Sequence, residues 1–414
     1  MRARRTSAAA LAALLLGAVA APGAGAAPPP SSGPTSGPTS HAVPPKAPKP
    51  SDSGNSPAAP DPHPRLGGLG PRGEPVGGPR LLGRSLVLPN RAPALPDTLS
   101  ARAWVLVDLD NGDVLAARDP HGRYQPASIQ KVLTAITLLP LLPDGKRVEV
   151  STKAATTEGS HAGLVGGGSY TIDQIFKAML LVSGNDAAEA LAEAAGGRVR
   201  TVTLMNREAQ RLGAYDTLVE TPSGLDGWQQ LTSAYDMALF LRAALDQPRF
   251  VAYDTALHSR LPLQRINGFG PVELDNQNAQ FLTTVPGALV AKTGFTDAAQ
   301  HTFVGAIERH GHRYGVVLLR AQRWPDDQWQ QATKLVDWGL SLRKGTPPVG
   351  HLDAPVDPAP VTEPPAARLR IAAAARTHEV SIGLQIVGAA ALLVVGGLAV
   401  SWRRLRRQGG RPEA

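Results

Sequence analysis

The chain has 414 residues, a formal charge of +8 and no cysteine. The missing thiol excludes disulfides, cysteine nucleophiles and cysteine-ligated metals. Three arginines in the first five residues and a net four in the last twelve account for seven of the eight charges, so the remainder offers no polyanion-binding surface and nucleic acid is not an expected partner.

In chain order, Arg2, Arg4 and Arg5 precede an apolar stretch over 8–21 and the small-residue site Ala24-Gly25-Ala26. That is the pattern of an export signal over 1–26. Residues 27–91 are dominated by Pro, Gly and Ser, with few aliphatic and no aromatic side chains. Such a segment cannot offset the entropy of ordering and is expected to be a disordered spacer. The roughly 250 residues over 92–345 suffice for one large core or two closely packed subdomains.

That region opens with an alternating run over 101–109, the turn residues Asn111-Gly112 and a returning run over 114–117, which predicts a hairpin. Helical periodicity follows over 128–139, stopped by Pro140, and over 171–181, 186–195 and 201–212, with Gly196 and Gly213 as closing residues. Thr232 is placed to cap a further helix to about residue 245. Three strands are expected over 288–293, 301–308 and 314–320, then a helix over 326–342. Strands at both ends of a domain share one sheet, so the expected class is α/β (α+β): an antiparallel sheet flanked by helices with a largely helical insertion.

A second spacer, rich in Pro and Ala, is expected over 346–380. Residues 381–402 are apolar apart from Ser381, Gln385 and Ser401, long enough to span about 30 Å as a helix. Arg403, Arg404, Arg406 and Arg407 follow in a short tail, 403–414. Basic residues stay on the cytoplasmic side, so a single transmembrane anchor would hold the folded part outside the cell membrane.

The chemistry-bearing residues form three motifs: Ser128-Ile129-Gln130-Lys131, Ser183-Gly184-Asn185 and Lys292-Thr293-Gly294, with gaps of 55 residues from Ser128 to Ser183 and 109 from Ser183 to Lys292. The three-residue spacing puts the Lys131 amine on the face of the Ser128 hydroxyl. A lysine in an apolar, cationic site can act as the base that a hydroxyl nucleophile needs. Ser183 and Asn185 fall at a helix junction, where Ser183 can relay a proton and Asn185 can hold Lys131 or a substrate amide; alternatively Asn185 caps the next helix through Ala188. Strand alternation sends Lys292 and Thr293 to opposite faces. Gly294 opens the strand edge to an added substrate strand. Lys292, Thr293 and Thr296 can meet a carboxylate, and the backbone amides of Ser128 and Phe295 are candidates for an oxyanion hole. None of this requires a metal or organic cofactor; His310 and His312 flank an apparent turn at Gly311, and no HExxH occurs.

Taken together, these motifs resemble those of the penicillin-recognising serine enzymes, most closely the low-molecular-mass D-alanyl-D-alanine carboxypeptidases of the peptidase S11 type. The resemblance extends through Tyr124-Gln125-Pro126-Ala127-Ser128, Leu180 to Ala188, Thr221-Pro222-Ser223-Gly224-Leu225, and Gly287 to Thr296. It implies the β-lactamase/transpeptidase-like fold. It also implies that Ser128 is acylated by a peptidoglycan stem peptide ending in D-Ala-D-Ala, with Lys131 as general base, Ser183 as proton relay and Asn185 positioning. Lys292, Thr293, Gly294, Phe295 and Thr296 would bind the substrate, and β-lactam antibiotics would inhibit by acylating Ser128. Gly184 favours this group over class A β-lactamases, which usually carry aspartate there, while Ile129 departs from the threonine often found after the serine. A DD-endopeptidase or a β-lactamase of the same fold, or a non-catalytic wall-binding protein, is the competing reading. Enrichment in Ala, Gly, Pro and Arg resembles exported actinobacterial proteins. Oligomeric state is not legible.

Overall fold

Residues 103–107 are apolar on both faces rather than alternating, and with Asp108 they form a central strand buried along its whole length. In a computed structural model of the chain, residues 67–264 and 271–353 are described. In order, the strands are β1 (Leu86–Val87), β2 (Ala103–Asp108), β3 (Asp113–Arg118), β4 (Arg147–Glu149), β5 (Ser169–Thr171), β6 (His258–Leu261), β7 (Val272–Asp275), β8 (Ala288–Thr296), β9 (Gln300–Arg309), β10 (His312–Ala321) and β11 (Gly350–His351). The helices are α1 (Lys131–Leu138), α2 (Thr152–Ala155), α3 (Ile172–Leu181), α4 (Asn185–Ala194), α5 (Arg198–Arg211), α6 (Ala234–Leu245), α7 (Pro248–Asp254), α8 (Ala279–Thr284) and α9 (Gln328–Leu340).

The main sheet runs β1-β3-β2-β10-β9-β8, antiparallel at each step, with β11 also pairing β3. Hairpins β2–β3 and β9–β10 therefore meet through β2 and β10, with Leu106 opposite Val316. The two-residue side-chain period sorts β2 between two cores. Ala103, Val105 and Val107 join the helical insertion through residues such as Ile136, Phe176 and Phe240. Trp104 and Leu106 join Leu335, Val336 and Trp338 of α9 on the other face. The expected antiparallel sheet with flanking helices and a helical insertion is present, and β8 lies at the sheet edge beside the insertion.

Both expected spacers need correction at their inner ends. Residues 67–91 contribute few apolar side chains, but Val76, Leu81 and Val87 are all buried. β1 pairs with β3, the Gly68 amide donates to Asp216, and His121 Nε2 meets the Val76 carbonyl. Composition averaged over a long Pro/Gly/Ser stretch hides three well-spaced anchors. At the other end Val349 and Leu352 are buried around β11, so the packed unit continues past 345 to the last described residue. The export signal, most of the first spacer, the apolar segment 381–402 and the basic tail lie outside the described residues.

Two helix starts also differ. The segment read as one helix from Ser128 begins as a 3-10 turn, Ala127–Gln130, and becomes α-helical only at Lys131. The side chain capping α6 is Ser233, not Thr232. Thr232 instead bridges to Tyr124 through paired backbone hydrogen bonds.

Candidate active site

Ser128 sits on that 3-10 turn, preceded by Ala127 in the left-handed region at φ 48°. Two close approaches hold the turn. Gly224, itself at φ +84°, packs where a β-carbon would fall 2.0 Å from the Ala127 carbonyl oxygen, and a β-carbon on Gly294 would fall 2.7 Å from the Ser128 amide nitrogen. No side chain fits at either place. Thr302, opposite Gly294 in the β8–β9 register, donates to the Pro126 carbonyl and fixes the same turn from the sheet.

One helical step on, Lys131 is fully buried while Ser128 stays partly accessible. Lys131 Nζ donates to Ser128 Oγ at 2.8 Å, Asn185 Oδ1 at 2.7 Å and the Ser223 carbonyl at 2.8 Å. All three partners are neutral. Burial holds the amine well below the usual lysine range, the Lys292 charge lowers it further, and Asp186 opposes both.

The second motif joins α3 to α4. Ser183 is at φ 60°, and its buried Oγ has no hydrogen-bond partner among the described residues. Asn185 is the first residue of α4 and spends its side chain on Lys131 and the Glu158 carbonyl, so the capping alternative is not what the helix uses. Its neighbour Asp186 accepts the amides of Ala162, Gly163 and Leu164. That carboxylate ties the 158–164 loop to the motif, and a β-carbon on Gly184 would fall 2.6 Å from it.

On β8 the alternation resolves as the spacing implied: Lys292 is fully buried and Thr293 half-buried. The Ala291 amide donates to Asp254 Oδ2 at 2.8 Å rather than to β9. Backbone polar groups alternate sides along an antiparallel edge strand. The register is continuous from Val290 to Thr296, so Thr293 and Phe295 turn theirs off the sheet as Ala291 does. Lys292 Nζ accordingly reaches the Thr293 carbonyl at 2.8 Å. Burial lowers Lys292 to about 8, with Asp254 opposing; burial raises Asp254 to about 7, with the Ala291 amide and Lys292 opposing.

Thr296 is less open than its sequence position implies. Its hydroxyl donates to Asp226 Oδ1 at 2.7 Å and accepts from the Ala299 amide at 2.9 Å. The motifs thus converge. The Ser223 carbonyl and Asp186 lie in the segments that carry the resemblance but had no role assigned to them, and Asp226 and Asp254 carried no sequence signal. Left-handed Gln300 and Arg320, at φ 56° and 51°, mark the neighbouring ends of β9 and β10. Of the non-glycine residues at positive φ, Ala127 and Ser183 belong to the site segments themselves, while Arg91, Asp119 and His310 lie elsewhere.

An antiparallel sheet packed on a helical insertion, with SxxK, SxN and KTG residues meeting at its edge, defines a serine acyl-transfer enzyme of the penicillin-binding class. The family model for D-alanyl-D-alanine carboxypeptidase, peptidase S11, matches residues 90–323. D-alanyl-D-alanine carboxypeptidase DacB2 of Mycobacterium tuberculosis is 38% identical over 260 residues, spanning 62% of this chain and 87% of that relative. The crystal structure of a D-alanyl-D-alanine carboxypeptidase from the same species superposes with TM-score 0.60 at 37% identity, covering 64% of this chain and 99% of that one. A Streptomyces DD-transpeptidase shares the fold at TM-score 0.56 and 22% identity, over 60% of this chain and 100% of its own. The chain belongs to the S11 family of D-alanyl-D-alanine carboxypeptidases, serine-type hydrolases of peptidoglycan.

Proposed function

We propose that Ser128 is the nucleophile of this carboxypeptidase and Lys131 its general base. The observation that carries the assignment is the buried Lys131 amine, 2.8 Å from Ser128 Oγ and surrounded by neutral acceptors. An unprotonated amine there accepts the Oγ proton as the oxygen attacks the carbonyl carbon of the penultimate D-alanine. The tetrahedral oxyanion is received by the amides of Ser128 and Phe295, a pairing supported by the contact of Gly294 with the Ser128 amide and by the outward turn of Phe295.

Collapse of that intermediate breaks the peptide bond, and the leaving nitrogen takes a proton through Ser183, whose buried hydroxyl is uncommitted within the described chain. D-Alanine departs, leaving an ester on Ser128. Water, deprotonated by the same base, hydrolyses the ester and restores the serine. Asn185 holds Lys131 in place, while Lys292, Thr293 and Thr296 receive the terminal carboxylate. β-Lactams enter the same path by opening their ring on Ser128.

The unit carrying this chemistry is read as 67–353, preceded by the export signal and the remaining spacer. No helix among the described residues is long and apolar enough to cross a membrane. Residues 381–402, outside the described part, are proposed as a single-pass anchor on the strength of their apolar run and the arginines that follow. The catalytic part is then extracellular.

Incubating the protein with a stem pentapeptide and, separately, a fluorescent penicillin tests the assignment. D-Alanine release and a long-lived adduct are expected, both absent in Ser128→Ala. Labelling that survives Ser128→Ala overturns the nucleophile. Rapid hydrolysis of the penicillin favours a β-lactamase instead.

A further inference from the structure

The loop after the Thr221-Pro222-Ser223-Gly224 segment reaches the end of β8 at Thr296. Gly224 packs on Ala127, and two residues later Asp226 accepts the Thr296 hydroxyl at 2.7 Å. Thr296 lies two residues beyond Gly294, which packs on Ser128. A carboxylate therefore occupies one of the donors assigned above to the substrate's terminal carboxylate. Asp297, on the turn after β8, lies near that carboxylate, and the Glu220 carboxylate packs on the next residue, where a β-carbon on Gly227 would fall 2.0 Å away.

A hydroxyl has one proton to donate and two lone pairs to accept with. One lone pair of Thr296 Oγ1 already receives the Ala299 amide. With Asp226 ionised, the only proton goes to Asp226, and substrate meets a filled donor beside a negative charge. With Asp226 protonated, its own O–H can donate to the remaining lone pair, and the Thr296 proton is released towards the substrate.

We propose that Asp226 is a specificity-determining residue of the carboxypeptidase reaction, its protonation deciding whether Thr296 can donate to the substrate's terminal carboxylate. Asp226 is exposed to solvent, and partial desolvation raises its carboxyl above the usual aspartate range, with Asp297 adding to the rise. The hydrogen bond from Thr296 and the Ala298 amide oppose it. Binding of a carboxylate-terminated peptide then takes up a proton and weakens as pH rises. Asparagine at this position mimics the protonated acid, because its NH2 donates to Thr296 permanently.

The inference rests on Thr296 belonging to the carboxylate site, and the test separates the two. Binding of an acyl-D-Ala-D-Ala peptide to the full chain is measured by calorimetry across pH, in a Ser128→Ala background that prevents turnover. Asp226→Asn is expected to bind about tenfold more tightly at mildly alkaline pH and to reduce the proton uptake to the part that Lys292 contributes, while the C-terminal amide of the same peptide gains nothing. Thr296→Val should weaken binding, and Thr296→Ser should restore it. If Thr296→Val binds as the parent does, Thr296 is no part of the carboxylate site. If Thr296→Val weakens binding but Asp226→Asn changes neither affinity nor proton uptake, the role of Asp226 is overturned alone. A weaker-binding Asp226→Asn also overturns it, since that is what a merely structural clasp predicts.

Discussion

Gly294 and Ser128 are in backbone contact: a β-carbon on the glycine would fall 2.7 Å from the serine amide nitrogen. Edge strand and nucleophile turn are thereby locked together, and the proposed oxyanion donors, one from each, are brought to a common point.

Gly294→Ala tests that lock. The added methyl must displace both the Thr302 hydroxyl and the Ser128 amide, so one oxyanion donor is lost while the cores on either side of the sheet are untouched. Acylation by a fluorescent penicillin should slow by about 10²-fold, with the circular dichroism of the fold preserved. An unchanged rate places the oxyanion elsewhere.

Lys131→Arg should abolish acylation at every accessible pH. A guanidinium does not deprotonate in proteins, whereas the lysine amine, lowered by burial and by Lys292, is available as a base. In the parent enzyme the acylation rate should fall as pH drops through that lowered value, because the base becomes protonated. Stopped-flow acylation against pH measures both.

Asp254→Asn should narrow the alkaline side of the pH profile. Lys292 must be protonated to attract a carboxylate, and it loses its proton near 8. Asp254 raises the lysine value, so removing its charge moves that loss to lower pH, while the amide oxygen still accepts the Ala291 amide. The alkaline limb of kcat/KM for a carboxylate-terminated peptide should move to lower pH; a limb that stays in place separates Asp254 from Lys292.

Removing residues 67–91 should destabilise the catalytic unit even though the motifs lie elsewhere. Val76, Leu81 and Val87 leave the core, a loss of roughly 5–9 kcal/mol at about 1.5–3 kcal/mol per buried aliphatic side chain. Asp216 also loses the Gly68 amide. Urea unfolding of 92–353 against 67–353 reads the difference, and equal midpoints would mean the strap is not part of the cooperative unit.

Local signals were legible where one element could satisfy its own pattern. The apolar run over 103–107, the Asn111-Gly112 turn and the apolar faces of α3 and α9 each encode their element without reference to the rest of the chain. Thr171 and Gln174 complete a capping box within four residues. The strap over 67–91 was not legible, because its three anchors are diluted among glycines and prolines and their cavities are made by distant segments. Thr296 was legible as a donor but not as one already engaged, since its acceptor lies 70 residues earlier.

Sequence alone determined the chemistry available to this protein: a serine and a lysine one turn apart, an SxN junction, and a strand ending in KTG. Those are local facts of spacing and side-chain type. Tertiary structure alone decided which groups surround them, because the electrostatics of a site depend on through-space neighbours and burial rather than on chain order. It buried Lys131 among neutral acceptors, set Asp254 behind Lys292, turned the Phe295 backbone off the sheet edge and laid Asp226 against Thr296.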